Sequence, residues 1–222
     1  MNLPAPPNAP SLLALVTRIN YQDPHLLVIN KPAGLLAVPG RGPDKQDCLL
    51  TRLQAVVPQA LLVHRLDQAT SGLMVFARSP AVQSQLSALF RDRLTLKRYA
   101  AVVHGHLQPD CGVATFPLMA DWPRRPCQKV DLAAGKPSET RWTVLSYDAA
   151  NDTSVVSLQP ITGRTHQLRV HMLATGHPIV GDRLYGPDDG APRLYLHAQT
   201  LGLPHPLTGE WLEIHSTPDF LP

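Results

Sequence analysis

The sequence has few cysteines and no long apolar run, and both shortages narrow the class of protein. The three cysteines among its 222 residues, Cys48, Cys111 and Cys127, are an odd number without paired spacing. Neither a disulfide framework nor a zinc ribbon is therefore predicted. Residues 12–16 form too short an apolar run for a signal peptide, and no segment approaches the roughly 20 apolar residues that cross a bilayer. We expect a cytoplasmic protein without a membrane span.

Charged residues are also sparse, at 17% of the chain against 44% apolar residues, which favours a folded core over disorder. We expect a flexible proline-rich arm over residues 1–14 and one domain over residues 15–222. The net charge of +3 permits a nucleic-acid partner without requiring one. Two basic groups are either solvated faces or contacts for an anionic partner. They are Arg91, Arg93, Lys97 and Arg98, and Arg124, Arg125 and Lys129.

The apolar pattern predicts an α+β fold with a mixed, mostly antiparallel β-sheet flanked by helices and loops. The connections between strands are mostly too short for parallel crossovers. Helices are predicted over residues 49–57, 80–90 and 165–175, the second capped by Ser79. Strands are predicted over residues 26–30, 61–63, 73–76 and 99–103, and in two hairpins, 140–147 with 154–158 and 195–203 with 210–215.

The loop between the strands at 61–63 and 73–76 holds the best candidate for chemistry. Arg65 and Asp67 lie side by side there, and Asp67 is the only acidic residue between positions 61 and 78. A conventional glycosidase needs two carboxylates, so that reaction is disfavoured unless a distant acid folds in. The competing interpretation is a turn carboxylate that bonds its own backbone at Thr70 or Ser71.

A second polar segment, residues 161–171, has no acid and four side chains that can be cationic, namely Arg164, His166, Arg169 and His171. A helix that begins there would attract a carboxylate or a phosphate, through its free N–H groups and the arginine forks. A metal site is disfavoured because His166 and His171 are five positions apart, and no cysteine or acid joins them at ligand spacing.

Four motifs in order resemble the ribosomal large-subunit pseudouridine synthase A family. They are HRLDQATSG around Asp67, KRYAAVVHG around Tyr99, ITGRTHQLRVH around Arg164 and GHPIVGDRLYG at residues 176–186. The resemblance covers nearly all of the chain after the arm. It implies a single catalytic domain of that fold and an isomerase that converts uridine in RNA to pseudouridine, as a monomer and without cofactor or metal. The arm is too short for the extra N-terminal RNA-binding domain of some relatives.

The resemblance also implies residue roles. Asp67 would be the nucleophile, Tyr99 would contact the target base and help to remove the proton from C5, and Arg164 would pair with Asp67 and keep it charged. Arg65 would enter the RNA in place of the extruded uridine, and Leu168 would contact the extruded base. Further substrate contacts are expected from His64, His166 and Arg169.

The segments LLVINKPAGLLAVPG and DWPRRPCQKV resemble the dual-specificity branch of that family. This implies structured stem-loops as substrates, namely uridine 32 in the tRNA anticodon stem-loop and uridine 746 in 23S rRNA. Two alternatives remain open at this stage. One is a protein that binds or remodels RNA without altering it, and the other is a nucleoside or glycoside hydrolase with a water-activating group from outside the motifs.

Overall fold

The computed structural model describes residues 18–221, so the predicted arm at residues 1–14 lies outside the described residues. The α-helices are α1 (Leu49–Gln54), α2 (Pro80–Arg91) and α3 (Gln167–Ala174). The strands are β1 (Ile19–Gln22), β2 (Leu26–Lys31), β3 (Leu61–Leu62), β4 (Ser71–Ala77), β5 (Leu96–His104), β6 (Cys111–Ala114), β7 (Leu118–Ala120), β8 (Gln128–Val130), β9 (Thr140–Asp148), β10 (Thr153–Pro160), β11 (Leu196–Pro204) and β12 (Trp211–His215).

Ten of these strands form one sheet in the order β1-β2-β4-β11-β5-β10-β9-β6, with β3 beside β4 and β12 beside β11. Only the β4–β11 pair is parallel, so the predicted α+β class and mostly antiparallel sheet are confirmed. Both predicted hairpins are present as β9–β10 and β11–β12. Among the helices within residues 18–221, none combines the length and the apolar character that crossing a membrane requires.

Strand β4 lies at the centre of the core, and all seven of its residues are buried. Because side chains alternate along a strand, Met74 and Phe76 pack towards α1 while Leu73 and Val75 pack towards α2. A third cluster joins α3 to β5 and β10. The loop ahead of β4 and the start of α3 are therefore both carried by packed elements, which is what a precise site requires.

Two differences from the predicted elements have local causes. Helix α1 ends at Gln54 rather than at residue 57, since in a longer helix Pro58 would offer the Gln54 carbonyl no N–H and its ring would clash with that carbonyl. Ser79 caps α2 as predicted, and its hydroxyl accepts the Val82 N–H at 3.4 Å. Strands β1, β6, β7 and β8 are three or four residues long, too short to show a periodic pattern.

A buried polar chain crosses the parallel β4–β11 junction. His197, 2% exposed, contacts Ser71 Oγ through Nδ1 at 2.8 Å and Ser216 Oγ through Nε2 at 3.1 Å. Arg193 donates to Ser71 Oγ at 2.6 Å, so the Ser71 proton is available for the imidazole. Burial first, and then the charge of Arg193, lower the pKa of His197 to about 4. His197 is therefore neutral in the folded protein.

This histidine is expected to make the fold sensitive to acid. The unfolded chain protonates His197 near its ordinary pKa of about 6.5, whereas the folded chain resists until about pH 4, so stability is lost as pH falls between these values. The free energy of unfolding should drop by about 2 kcal/mol from this residue between pH 7 and pH 5. Urea unfolding at both pH values tests this. The drop should shrink by that amount in His197→Gln but not in His215→Gln, and an unchanged drop in His197→Gln would contradict it.

Candidate active site

The loop before β4 holds Asp67, whose carboxylate accepts no hydrogen bond from the described residues. The turn is closed by main chain, because Thr70 N donates to the Asp67 carbonyl at 3.1 Å. Within the part of the chain that the structure describes, no group donates a hydrogen bond to the Asp67 carboxylate, which is 22% exposed. Gly72 follows with a φ of +114°, and any Cβ there would collide with the main chain of Ala198. The interpretation of Asp67 as a turn carboxylate is therefore wrong.

Lys31 connects this loop to the turn after β2. Its side chain is fully buried, and Nζ donates to the carbonyls of Pro32, Leu35 and Gln68 at 2.9, 2.8 and 3.1 Å. Burial lowers the pKa of Lys31 to about 7, and the negative charge of Asp67 opposes this. Because Gln68 directly follows Asp67, these bonds hold the candidate nucleophile against the core.

Two cationic or polar groups from the start of α3 face Asp67. Arg169 Nη1 and His166 Nε2 each lie 3.9 Å from a carboxylate oxygen of Asp67. Arg164 instead is exposed, and its Nε donates to the Pro137 carbonyl at 3.2 Å. The predicted pairing of Arg164 with Asp67 is therefore wrong, and Arg169 occupies that place. The reason is helical phase, since Arg169 follows the cap residue His166 by three positions and shares its face of the helix.

Arg169 is itself held by a buried acid. Its Nε and Nη2 donate to the two carboxylate oxygens of Asp182 at 2.8 and 2.6 Å, and both side chains are buried. Burial alone would lower the pKa of Arg169, but the hydrogen bonds and charge of Asp182 outweigh it and raise the pKa. The guanidinium also lies 5.0 Å from the ring centroid of Tyr185. Arg169 is thus a fixed, permanent cation beside Asp67.

His166 belongs to a hydrogen-bonded chain that determines its tautomer. Gln128 N donates to the Tyr185 hydroxyl at 2.7 Å, and that hydroxyl lies 2.6 Å from His166 Nδ1. The Tyr185 oxygen accepts the amide N–H, and His166 Nδ1 is the one acceptor in reach of its hydroxyl among the described residues, so the phenol proton goes to Nδ1. Burial lowers the pKa of His166, against the opposing charge of Asp67, and raises the pKa of Tyr185 to about 12. A neutral imidazole therefore directs its Nε2–H towards Asp67.

A cavity of about 540 Å³ opens over Asp67. Tyr99 on β5 contributes an aromatic side chain to the wall of this cavity, and Leu168 on α3, which is 7% exposed, contributes an apolar one. Burial first, and then the charge of Asp67, raise the pKa of Tyr99, so it is a neutral phenol. All eight candidate residues from the sequence line this cavity: His64, Arg65, Asp67, Tyr99, Arg164, His166, Leu168 and Arg169.

His64, predicted to contact the substrate, lines the cavity and is held in place by its neighbours. Its Nε2 accepts the Val75 N–H at 3.1 Å, and its ring stacks on Phe90 with centroids 4.3 Å apart. Burial, together with the charge of Lys97, lowers the pKa of His64 to about 3. The histidine therefore supports the cavity wall as a neutral ring and has its acceptor nitrogen engaged by β4.

The cavity suits an anion of some length. Of the described residues that line it, Asp67 is the only one with a carboxylate, against six arginines and lysines: Arg65, Arg91, Arg93, Lys97, Arg164 and Arg169. A second cavity of about 900 Å³ continues past Arg65, Asp67, His166 and Arg169, which line both. Three members of the first basic group, Arg91, Arg93 and Lys97, thus line the site, whereas Arg98 does not. A glycosidase pair of carboxylates is not assembled in the first cavity.

A model of the RNA pseudouridylate synthase family matches residues 25–174, which include Asp67, Tyr99 and all of α3. The chain belongs to this family. The dual-specificity RNA pseudouridine synthase RluA of Escherichia coli K12 is 49% identical over 218 residues, 97% of each chain. The enzyme of that name from Yersinia pestis is 51% identical over 192 residues, 85% of this chain and 93% of its own. The synthase therefore is an isomerase that acts on RNA.

Solved structures agree with the family assignment. The human RNA pseudouridylate synthase domain-containing protein 1 superposes with a TM-score of 0.80 and is 32% identical, over 97% of this chain and 88% of its own. The human domain-containing protein 4 gives a TM-score of 0.77 at 29% identity, over 94% and 92%. The expected pseudouridine synthase fold is therefore confirmed.

Three residues of the synthase site carried no predicted role, namely Lys31, Asp182 and Tyr185. Asp182 and Tyr185 lie within the motif GHPIVGDRLYG, and Lys31 lies within LLVINKPAG, so the signal was the motif itself. Their partners within the site, Gln68 for Lys31, Arg169 for Asp182 and His166 for Tyr185, are 13 or more positions away in the chain, so only the fold reveals these contacts.

Proposed function

We propose that this pseudouridine synthase modifies uridines in structured RNA stem-loops of two kinds, tRNA and 23S rRNA. The specific sites proposed are uridine 32 of the anticodon stem-loop and uridine 746 of 23S rRNA. Support comes from relatives named as dual-specificity enzymes that are about half identical over nearly the whole chain. The observation that carries the chemistry is the unbonded Asp67 carboxylate, 3.9 Å from a fixed arginine in a cation-lined cavity.

In this proposal Asp67 is the nucleophile. Pseudouridine formation breaks the N1–C1′ bond of uridine, turns the detached uracil and joins its C5 to the same C1′, after which the C5 proton leaves and N1 gains one. The carboxylate attacks the sugar carbon or the uracil ring, or assists glycal formation. Each route needs an ionised carboxylate without a competing hydrogen-bond donor, and this supports Asp67 for the role. The reaction has no net oxidation or hydrolysis, so the proposal includes no cofactor or metal.

Arg169 takes the role that the sequence assigned to Arg164. A bidentate clamp on Asp182 keeps Arg169 aimed at Asp67, so its charge stays beside the carboxylate when substrate displaces water. The neutral imidazole of His166 adds an N–H on the same side. Arg164, exposed at the rim, contacts an RNA phosphate instead.

Tyr99 and Leu168 contact the two faces of the extruded uracil ring. An aromatic ring and an aliphatic side chain suit a flat base because they bind through stacking and apolar contact. Since the pKa of Tyr99 is raised, the phenol enters as a neutral hydroxyl. Tyr99 therefore helps to remove the C5 proton by relaying it through its hydroxyl, and not by accepting it as a preformed phenolate.

Arg65 replaces the extruded uridine in the RNA stack. It is exposed, lies two residues before Asp67 and lines both cavities, so its guanidinium can reach RNA next to the nucleophile. Extruding a base costs a few kcal/mol, less in loops than in regular helix, which favours stem-loop substrates. The enzyme would act as a monomer in the cytoplasm, where its RNA substrates are.

Tritium release from anticodon stem-loop RNA that carries 5-tritiated uridine tests the activity. Release is expected from the parent RNA and should fall to background when uridine 32 alone is replaced by cytidine. Pseudouridine mapping in total RNA from cells that lack the protein should show loss at both proposed positions. Normal modification at both positions in those cells would refute the dual assignment, and absence of release from any RNA would refute the activity.

A further inference from the structure

The β7–β8 hairpin exposes an aromatic platform that the proposed chemistry does not use. At its tip, residues 121–127, Trp122 is 63% exposed, and the Arg125 guanidinium lies 3.5 Å from the centroid of its ring. An exposed aromatic side chain with a guanidinium over its ring offers two flat groups in contact. Such surfaces bind nucleic-acid bases by stacking and cation–π attraction.

Hydrogen bonds within the tip restrain its conformation, which lowers the entropic cost of binding at a stacking platform. Asp121 N donates to the Cys127 carbonyl at 2.9 Å, and Cys127 N donates to the Arg124 carbonyl at 2.8 Å. The Arg124 side chain also donates to the Asp121 carboxylate at 2.6 Å. With the bond from Arg124 N to the Asp121 carbonyl at 3.0 Å, four hydrogen bonds join residues within the seven-residue tip.

The hairpin is also attached directly to the active site. The first residue of β8, Gln128, donates its N–H to Tyr185, whose hydroxyl contacts the His166 that faces Asp67. Pro126 from the tip lines the larger cavity, which Asp67 also lines. A strand of RNA that leaves the nucleophile through this cavity therefore passes beside the platform.

The charges around the platform favour RNA over a protein partner. Arg124 and Lys129 are 76% and 44% exposed at the side chain, each beside one carboxylate, Asp121 at 2.6 Å and Asp131 at 3.3 Å, while Arg125 has no such ion pair among the described residues and covers one face of the tryptophan. Each of these cations near an isolated aromatic ring can meet a phosphate as the base stacks. The core of a protein interface is depleted of charged residues, whereas at this tip charged side chains surround the single exposed ring among the described residues.

We propose that Trp122 and Arg125 form a stacking site for an unpaired base of the RNA substrate, outside the pocket for the target uridine. This rests on the proposed function, since it presumes that RNA occupies the cavities. Base stacking on an aromatic side chain contributes enough that its removal weakens binding by roughly tenfold or more. The platform binds substrate but takes no part in bond breaking, so its loss should raise KM and leave kcat within about twofold.

The platform is tested by measuring the binding of dye-labelled anticodon stem-loop RNA by fluorescence anisotropy. All variants are made in the Asp67→Asn protein, which should not convert the RNA during the titration and is the parent in this comparison. Trp122→Ala should raise Kd about tenfold or more, whereas Trp122→Phe should stay within about threefold of the parent. Trp211→Ala is the matched control, because Trp211 is 53% exposed on β12. It should leave Kd unchanged.

The contacted base can be found with RNAs in which each unpaired loop base is replaced in turn by an abasic nucleotide. At one position the abasic nucleotide should weaken binding to the parent as much as Trp122→Ala does. The same abasic RNA should bind the Trp122→Ala protein no more weakly than the unaltered RNA does. Equal affinity of Trp122→Ala and parent would overturn the platform, as would full additivity at every position. A parent protein that forms no pseudouridine would instead overturn the proposed function, so the two failures are distinguishable.

Discussion

Replacing Asp67 by asparagine is expected to lower kcat by at least about 10⁴-fold, because a neutral amide cannot serve as the nucleophile. The fold should tolerate the change. The carboxylate accepts no hydrogen bond within residues 18–221 and is partly exposed, so the free energy of unfolding should shift by less than about 1 kcal/mol. RNA affinity should stay the same or increase, since removing the negative charge leaves the cations around it unopposed.

Single-turnover tritium release measures the loss, and thermal unfolding and RNA titration measure what is retained. Asp219→Asn is a suitable control, because this carboxylate also lines the larger cavity but is 72% exposed and paired with Arg193. Its kcat should remain within about twofold of the parent. Release from Asp67→Asn near the parental rate would show that the carboxylate has no part in the chemistry.

Replacing Arg169 by methionine should damage both stability and catalysis. It leaves the Asp182 carboxylate, which has no exposed surface, without its cation. Breaking a buried pair in this way costs about 3–5 kcal/mol. It also removes the fixed positive charge beside Asp67, so kcat should fall by about 10²-fold or more in the protein that remains folded. Urea unfolding and single-turnover rates on the same preparation measure the two effects.

A double variant separates the two effects of Arg169. Asp182→Asn in the Arg169→Met protein removes the uncompensated charge, and its amide oxygen can still accept the N–H groups of Leu184 and Tyr185. Most of the lost stability should return while kcat stays low. Arg164→Ala should keep stability within about 0.5 kcal/mol and raise KM rather than lower kcat. A kcat that recovers in the double variant would show that Asp67 does not need Arg169. A kcat that collapses in Arg164→Ala would indicate Arg164 as the partner of Asp67 instead.

The predictions from sequence were most accurate where one motif holds both the residue and its neighbours. Asp67 and Arg65 share a short loop between two apolar strands, so the pattern alone located them correctly. Tyr99 and Leu168 were found through the family motifs that contain them, KRYAAVVHG and ITGRTHQLRVH, and not through the apolar pattern of their elements. All of these residues line one cavity as a result.

The choice between Arg164 and Arg169 could not be made from the motif, because both lie in ITGRTHQLRVH. The decision depends on where the helix begins. His166 adopts a left-handed conformation, with φ of 53°, and α3 starts at Gln167, two residues later than predicted. That phase turns Arg169 towards Asp67 and leaves Arg164 at the rim. The clamp of Asp182 on Arg169 depends on a tertiary contact, which has no signature in local sequence.

The account is tested most directly by analysing the nucleosides and bases released when the purified enzyme has acted on anticodon stem-loop RNA. The expected result is one pseudouridine per RNA molecule with no free uracil from the parent, and unaltered uridine from Asp67→Asn. Free uracil would show a hydrolase, and unaltered uridine from the parent at full RNA binding would show a protein that binds RNA without modifying it. Either result would contradict an Asp67-dependent isomerase.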